Sequence, residues 1–163
     1  MKRLFLLFIA VVLWLSCSTH AGNEASFQQE LNELKHQLAN TYTPGFGELM
    51  GAVQVHHANL WFAGTHQNWK LAKFEMHEIG EILENIARFQ AQREETKSLD
   101  MLQPALKEVT AAIETQNPGA FRKAYISLTN ACNECHTVTH YEFIRVKTPE
   151  RPPFGNQAYS IKE

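Results

Sequence analysis

An all-α chain is predicted: an antiparallel four-helix bundle with an extra N-terminal helix and an extended C-terminal tail. Three observations predict it. Apolar residues recur at three-to-four spacing in one segment after another, the alternation of half-buried strands is nearly absent, and helix-start signals such as Asn117 followed by Pro118 stand between the segments. The 163 residues divide accordingly into a leader (1–21), an N-terminal helix and linker (22–43), the helical bundle (44–147) and the tail (148–163). About 140 residues after the leader suit one domain with one core.

Each element has its own signal. Lys2 and Arg3 precede the apolar run Leu4 to Leu15, and small or polar residues follow, which is the layout of a secretory signal peptide and is short for a membrane span. Cleavage after Ala21, which puts Thr19 at the minus-three position, is the preferred reading. The alternative is a lipid-modified Cys17 that anchors the chain to a membrane. Asn23 to Asn40 carries Phe27, Leu31, Leu34 and Leu38 on one face, and Thr43, Pro44 and Gly45 make a turn. From Phe46 to Ala63 the apolar set is Leu49, Met50, Val53, Leu60 and Trp61, and Gly64 is expected to break the helix.

Asn68 is placed to cap the next helix, with Trp69, Ala72, Met76, Ile79, Leu83 and Ile86 inward and Lys73, Glu75, Glu78 and Glu81 toward water. Gln90 to Lys97 reads as a polar linker. Leu99, Leu102, Leu106, Val109 and Ile113 trace another helix, which tolerates Pro104 only in its first turn. Asn117 and Pro118 cap and open the last helix. Its seam, Phe121, Tyr125, Leu128, Cys132 and Cys135, keeps both cysteines on the apolar face. Past Thr148 the prolines 149, 152 and 153 with Gly155 give an extended tail, which Phe154 and Tyr159 are placed to pin.

Cys132, Asn133, Glu134, Cys135 and His136 form the pattern C-x-x-C-H, by which a chain holds c-type haem through two thioether bonds and an axial histidine. On a helix Cys132 and Cys135 lie one turn apart and His136 follows Cys132 by four, so all three project from one side. A zinc site would want a second cysteine pair or a histidine pair at finger spacing, and the third cysteine is Cys17. One covalently attached haem is therefore expected, with Cys132 and Cys135 as anchors and His136 as proximal iron ligand. Its sixth position separates electron transfer at a filled site from gas or peroxide binding at an open one. Met50 is the first candidate for that distal position. His57, seven residues on and nearly on the same face, is the rival; His56, His66, His77 and His140 read as surface or hydrogen-bonded residues.

With this motif on its last helix, the chain resembles the class II c-type cytochromes, meaning cytochrome c-prime and its low-spin relatives. The resemblance covers roughly residues 46 to 146 and is specific at Cys132, Cys135 and His136. It implies a four-helix bundle around the haem and a distal residue from the first bundle helix, where Glu48, Leu49, Met50 and Gly51 look similar to the family pattern. The extra N-terminal helix, the tail and the run Glu142, Phe143, Ile144, Arg145 depart from it. The function implied is single-electron transfer between periplasmic redox partner proteins by an exported protein that is not an enzyme. The alternative is a five-coordinate binder of nitric oxide or carbon monoxide.

Other chemistries fit less well. Taking Lys2 and Arg3 from the 15 basic residues leaves 13 against 17 acidic ones, a balance that excludes nucleic acid as a partner. A carboxylate-bridged di-iron bundle needs two E-x-x-H pairs, and Glu33 with His36 is the one pair at that spacing. After His77 and Glu78, Glu81 stands where a zincin carries its second histidine, so the row Glu75, Glu78, Glu81 and Glu84 reads as a solvated face. A homodimer becomes plausible if the apolar face of the N-terminal helix is exposed.

Overall fold

The computed structural model describes residues 24, 26–38 and 40–160. The leader reading, Cys17 included, lies outside the described residues. Two compact units divide the chain, Met1–Thr43 and Pro44–Glu163. In the first, residues 26–38 are helical (α1), and Phe27, Leu34 and Leu38 are exposed. The second holds α2 (Phe46–Thr65), α3 (Trp69–Phe89), the single turn α4 (Glu94–Lys97), a 3₁₀ turn over Leu99–Leu102, α5 (Gln103–Glu114) and α6 (Pro118–Val138). The protein is all-α, with no strand among the described residues. None of the described helices is long and apolar enough to cross a membrane.

The second unit is organised by which faces its helices must bury. α2 packs along α3 and also meets α6; α5 packs along α6 and also meets α3. Leu60, Ile86, Val109, Phe121 and Leu128 lie at the centre of the shared core, at most 2 % exposed. Each contributes about 1.5–3 kcal/mol by leaving water. The seam of α6 faces the core, with Phe121 and Tyr125 fully enclosed, Cys135 at 7 % and Cys132 half-buried.

The connections are short because each residue in them has two tasks. Gln67 takes a left-handed backbone (φ 59°), so its N–H meets the Gly64 carbonyl while the Asn68 N–H meets that of Ala63. That is the Schellman ending, in which two orphan carbonyls are satisfied as the chain reverses. Asn68 then caps α3 by accepting from the Leu71 N–H at 3.2 Å. The pattern recurs after α5, with Gln116 left-handed (φ 49°) and Asn117 accepting from the Gly119 and Ala120 N–H groups at 3.0 Å. Pro118 follows where its missing N–H costs nothing. Pro104 sits in the first turn of α5, as its chemistry demands.

Three expectations are overturned, at Gly64, Glu75 and Phe154. Gly64 does not end α2, which runs one residue further; it is instead the point of closest approach to α6, where an added Cβ would lie 2.1 Å from Phe121 Cζ. Nor does Glu75 face water. It is 2 % exposed and its Oε2 lies 2.7 Å from His56 Nδ1, a hydrogen-bond partner from α2 that makes burial of its carboxyl group tolerable. The tail crosses the same region: Tyr159 is buried and donates to Asn59 Oδ1 at 2.6 Å, and its carbonyl accepts from Asn68 Nδ2 at 3.2 Å. Phe154 is exposed and pins nothing.

Candidate functional site

Helix periodicity brings Met50, Val53 and His57 of α2 to the wall of one mainly apolar cavity of about 250 Å³. Cys132, Cys135 and His136 of α6 line the same cavity, and Leu83, Leu99 and Leu102 close it from the other helices. Tyr141, Ile144 and Val146, from the segment after α6, complete it. All five residues singled out from the sequence therefore meet at one place. A larger groove of about 530 Å³ between α3 and α5 has apolar walls of Met76, Leu83, Leu106 and Ile113. Among the described residues, no group of three or more His, Cys, Asp or Glu side chains is arranged to hold a metal ion.

The two thiols are unbonded and protonated at neutral pH. Burial, with the neighbouring Cys135 second, pushes Cys132 up to about 11, and burial raises Cys135 as well. His136, partly exposed at the end of α6, places its Nδ1 2.7 Å from the Ile144 carbonyl oxygen. A carbonyl only accepts, so Nδ1 carries a proton, which makes Nε2 the ring nitrogen that can bind a metal. The acceptor is supplied by a third Schellman reversal, with His140 left-handed (φ 65°) and the Tyr141 N–H on the His136 carbonyl at 2.7 Å.

His57 is engaged differently. Thr129 Oγ1 spends its proton on the Tyr125 carbonyl at 2.9 Å, so it accepts from His57 Nε2–H at 3.0 Å. The Tyr125 hydroxyl lies 2.9 Å from both His57 Nδ1 and the His57 carbonyl, and its single proton is shared between these two acceptors. Both ring nitrogens thus have partners, and desolvation lowers the histidine to about 4, so it is neutral. Met50 has no such network. It is half-buried, and the neighbouring Gly47 and Gly51 leave bare helix surface, with no heavy atom within 4 Å of where either Cβ would stand.

Comparison with protein-family models, with curated proteins and with solved structures gave no match for this chain.

The rim beside Phe46 is polar. The Arg93 guanidinium lies over the Phe46 ring, 4.9 Å from its centroid, and donates to Glu95 Oε1 at 2.6 Å and Oε2 at 3.2 Å. That paired donation is the main reason Glu95 is held down at about 2. The other histidines of the second unit do not line the cavity: His56 is on Glu75, His66 on the Phe62 carbonyl, His77 beside Glu81, and His140 exposed. Sequence reasoning missed Tyr125, Thr129 and the Ile144 carbonyl. The first two had a signal, one turn apart on the face that carries Cys132; a backbone carbonyl has none.

The residues present fit a covalently held haem. Two thiols and an imidazole with a free Nε2 share an apolar wall, and opposite them a thioether lies beside bare helix surface.

Proposed function

We propose that the chain is an exported monohaem c-type cytochrome that passes single electrons between redox partner proteins. The observation that carries this reading is the common cavity of Cys132, Cys135, His136 and Met50, in which His136 Nδ1–H is already bonded to a carbonyl and Nε2 remains available. The fold proposed with it is an antiparallel four-helix bundle of α2, α3, α5 and α6, as in the class II c-type cytochromes, and the mutual packing of those four helices supports it.

Bound haem supplies an iron that cycles between two oxidation states without rearrangement of the protein. Cys132 and Cys135 would hold it through thioether bonds, and His136 Nε2 would bind its iron. Met50 is favoured over His57 as distal donor, because a thioether has no competing bond whereas His57 would have to release Tyr125 or Thr129. Leu83, Leu99 and Leu102 exclude water, which disfavours the more highly charged oxidised state.

Expression of the full chain in a host that matures c-type cytochromes tests the reading. Haem that survives denaturing electrophoresis is expected, and it should vanish when Cys132 and Cys135 are both replaced by Ala; a wild-type chain without it would sink the proposal. The electronic spectrum should be low-spin with a sulfur-to-iron band that Met50→Ala abolishes. A high-spin ferric spectrum with ready uptake of carbon monoxide on reduction would instead select the gas-binding alternative.

A further inference from the structure

Asn133 occupies the first position between the two cysteines, where attachment chemistry asks for no particular side chain. Its carboxamide nevertheless makes two bonds to one distant residue. Nδ2 donates to the Val146 carbonyl at 2.8 Å, and the Val146 N–H donates to Oδ1 at 2.8 Å. Both the donor and the acceptor of the amide are matched, so its orientation is fixed by its partners. Val146 lies two residues beyond Ile144, whose carbonyl receives His136 Nδ1–H. At its other end the same segment is tied back by the Tyr141 N–H on the His136 carbonyl, and the Ile144 N–H donates to the Tyr141 carbonyl at 2.8 Å.

We infer that Asn133 is a positioning residue for His136: its two-point clamp on Val146 holds the Ile144 carbonyl against Nδ1, fixing the tautomer and strengthening Nε2 as a donor. The inference rests on His136 being the iron ligand for its consequence, but not for the clamp. A hydrogen bond to the far nitrogen of a ligating imidazole makes the ring a better donor, and a better donor favours the oxidised metal. Releasing the clamp therefore raises the reduction potential.

The test uses the full haem-loaded chain with Asn133→Ala, Asn133→Ser, which is too short to bridge to Val146, and the control Glu134→Ala at the exposed second intervening position. In the reduced protein, exchange of His136 Nδ1–H with solvent is followed by NMR and the potential is measured beside it. Both Asn133 variants should exchange faster, by about tenfold for the loss of a pair of neutral hydrogen bonds. Their potentials should rise, whereas Glu134→Ala, which itself removes a charge beside the haem, should leave the exchange rate unchanged. Unchanged exchange in both Asn133 variants overturns the clamp. If the wild-type chain carries no haem, the functional reading fails alone, and nitrogen chemical shifts of His136 in the unloaded chain decide the clamp. Protonation at Nδ1 that moves toward Nε2 in Asn133→Ala supports it, and an unaltered tautomer overturns it.

Discussion

His57 shows what one buried imidazole does to the whole molecule. Burial lowers it from the ordinary 6.5 to about 4, so between those values the unfolded chain binds a proton that the folded chain refuses. Stability is therefore full above the ordinary histidine range and is lost as pH falls toward 4, by up to about 3 kcal/mol from this residue. Urea unfolding at pH 7 and pH 4.5 should register the loss, and His57→Gln should flatten that dependence even if it lowers stability at pH 7. Glu75 was misread from sequence because its place in the row Glu75, Glu78, Glu81 and Glu84 gives no hint that His56, nineteen residues earlier, lies opposite it. Periodicity assigns a face to a residue; it cannot see a polar partner that makes the wrong face acceptable.

Helix ends were legible where a side chain does the capping and illegible where the backbone does it. Asn68, Asn117, Pro118 and Pro104 announced themselves, since their chemistry favours few other positions. The left-handed residues that end α2, α5 and α6 did not, because Gln67, Gln116 and His140 stand where glycine is usual. Gln116→Gly, remote from the cavity, should stabilise the protein by about 0.5–1 kcal/mol by relieving that backbone, visible as a higher melting temperature. Gly64, taken for a stop, is a contact. Gly64→Ala should cost about 1–3 kcal/mol as Phe121 and α6 are pushed away from α2, measurable by chemical denaturation. The C-x-x-C-H motif was legible because its spacing carries the geometry, and Met50 through the resemblance of Glu48, Leu49, Met50 and Gly51 to the class II pattern. The Arg93, Glu95 and Phe46 rim was not, since α2 and the linker before α4 meet only in three dimensions.

Across the whole molecule, the tail acts as a strap at Tyr159, whose buried side chain reaches α2 while its backbone carbonyl meets the cap of α3. Tyr159→Phe keeps the ring against Phe62 but leaves Asn59 Oδ1, on a residue 5 % exposed, without its hydroxyl donor. A loss of about 1–3 kcal/mol is expected by thermal or urea unfolding, with little change in any absorbance from the cavity on the other side of α2. The two walls of that cavity differ in how far along the chain their bonds reach. His136 finds its carbonyl eight residues away and Asn133 its partner thirteen away, whereas His57 and Thr129 are separated by 72. Closing the short loops costs far less chain entropy than bringing α2 to α6. During folding, then, the wall bearing Cys132, Cys135 and His136 can take shape while α2 is still free. A folding chain would offer its two thiols and an already oriented imidazole from the open side before α2, carrying Met50, closes over them.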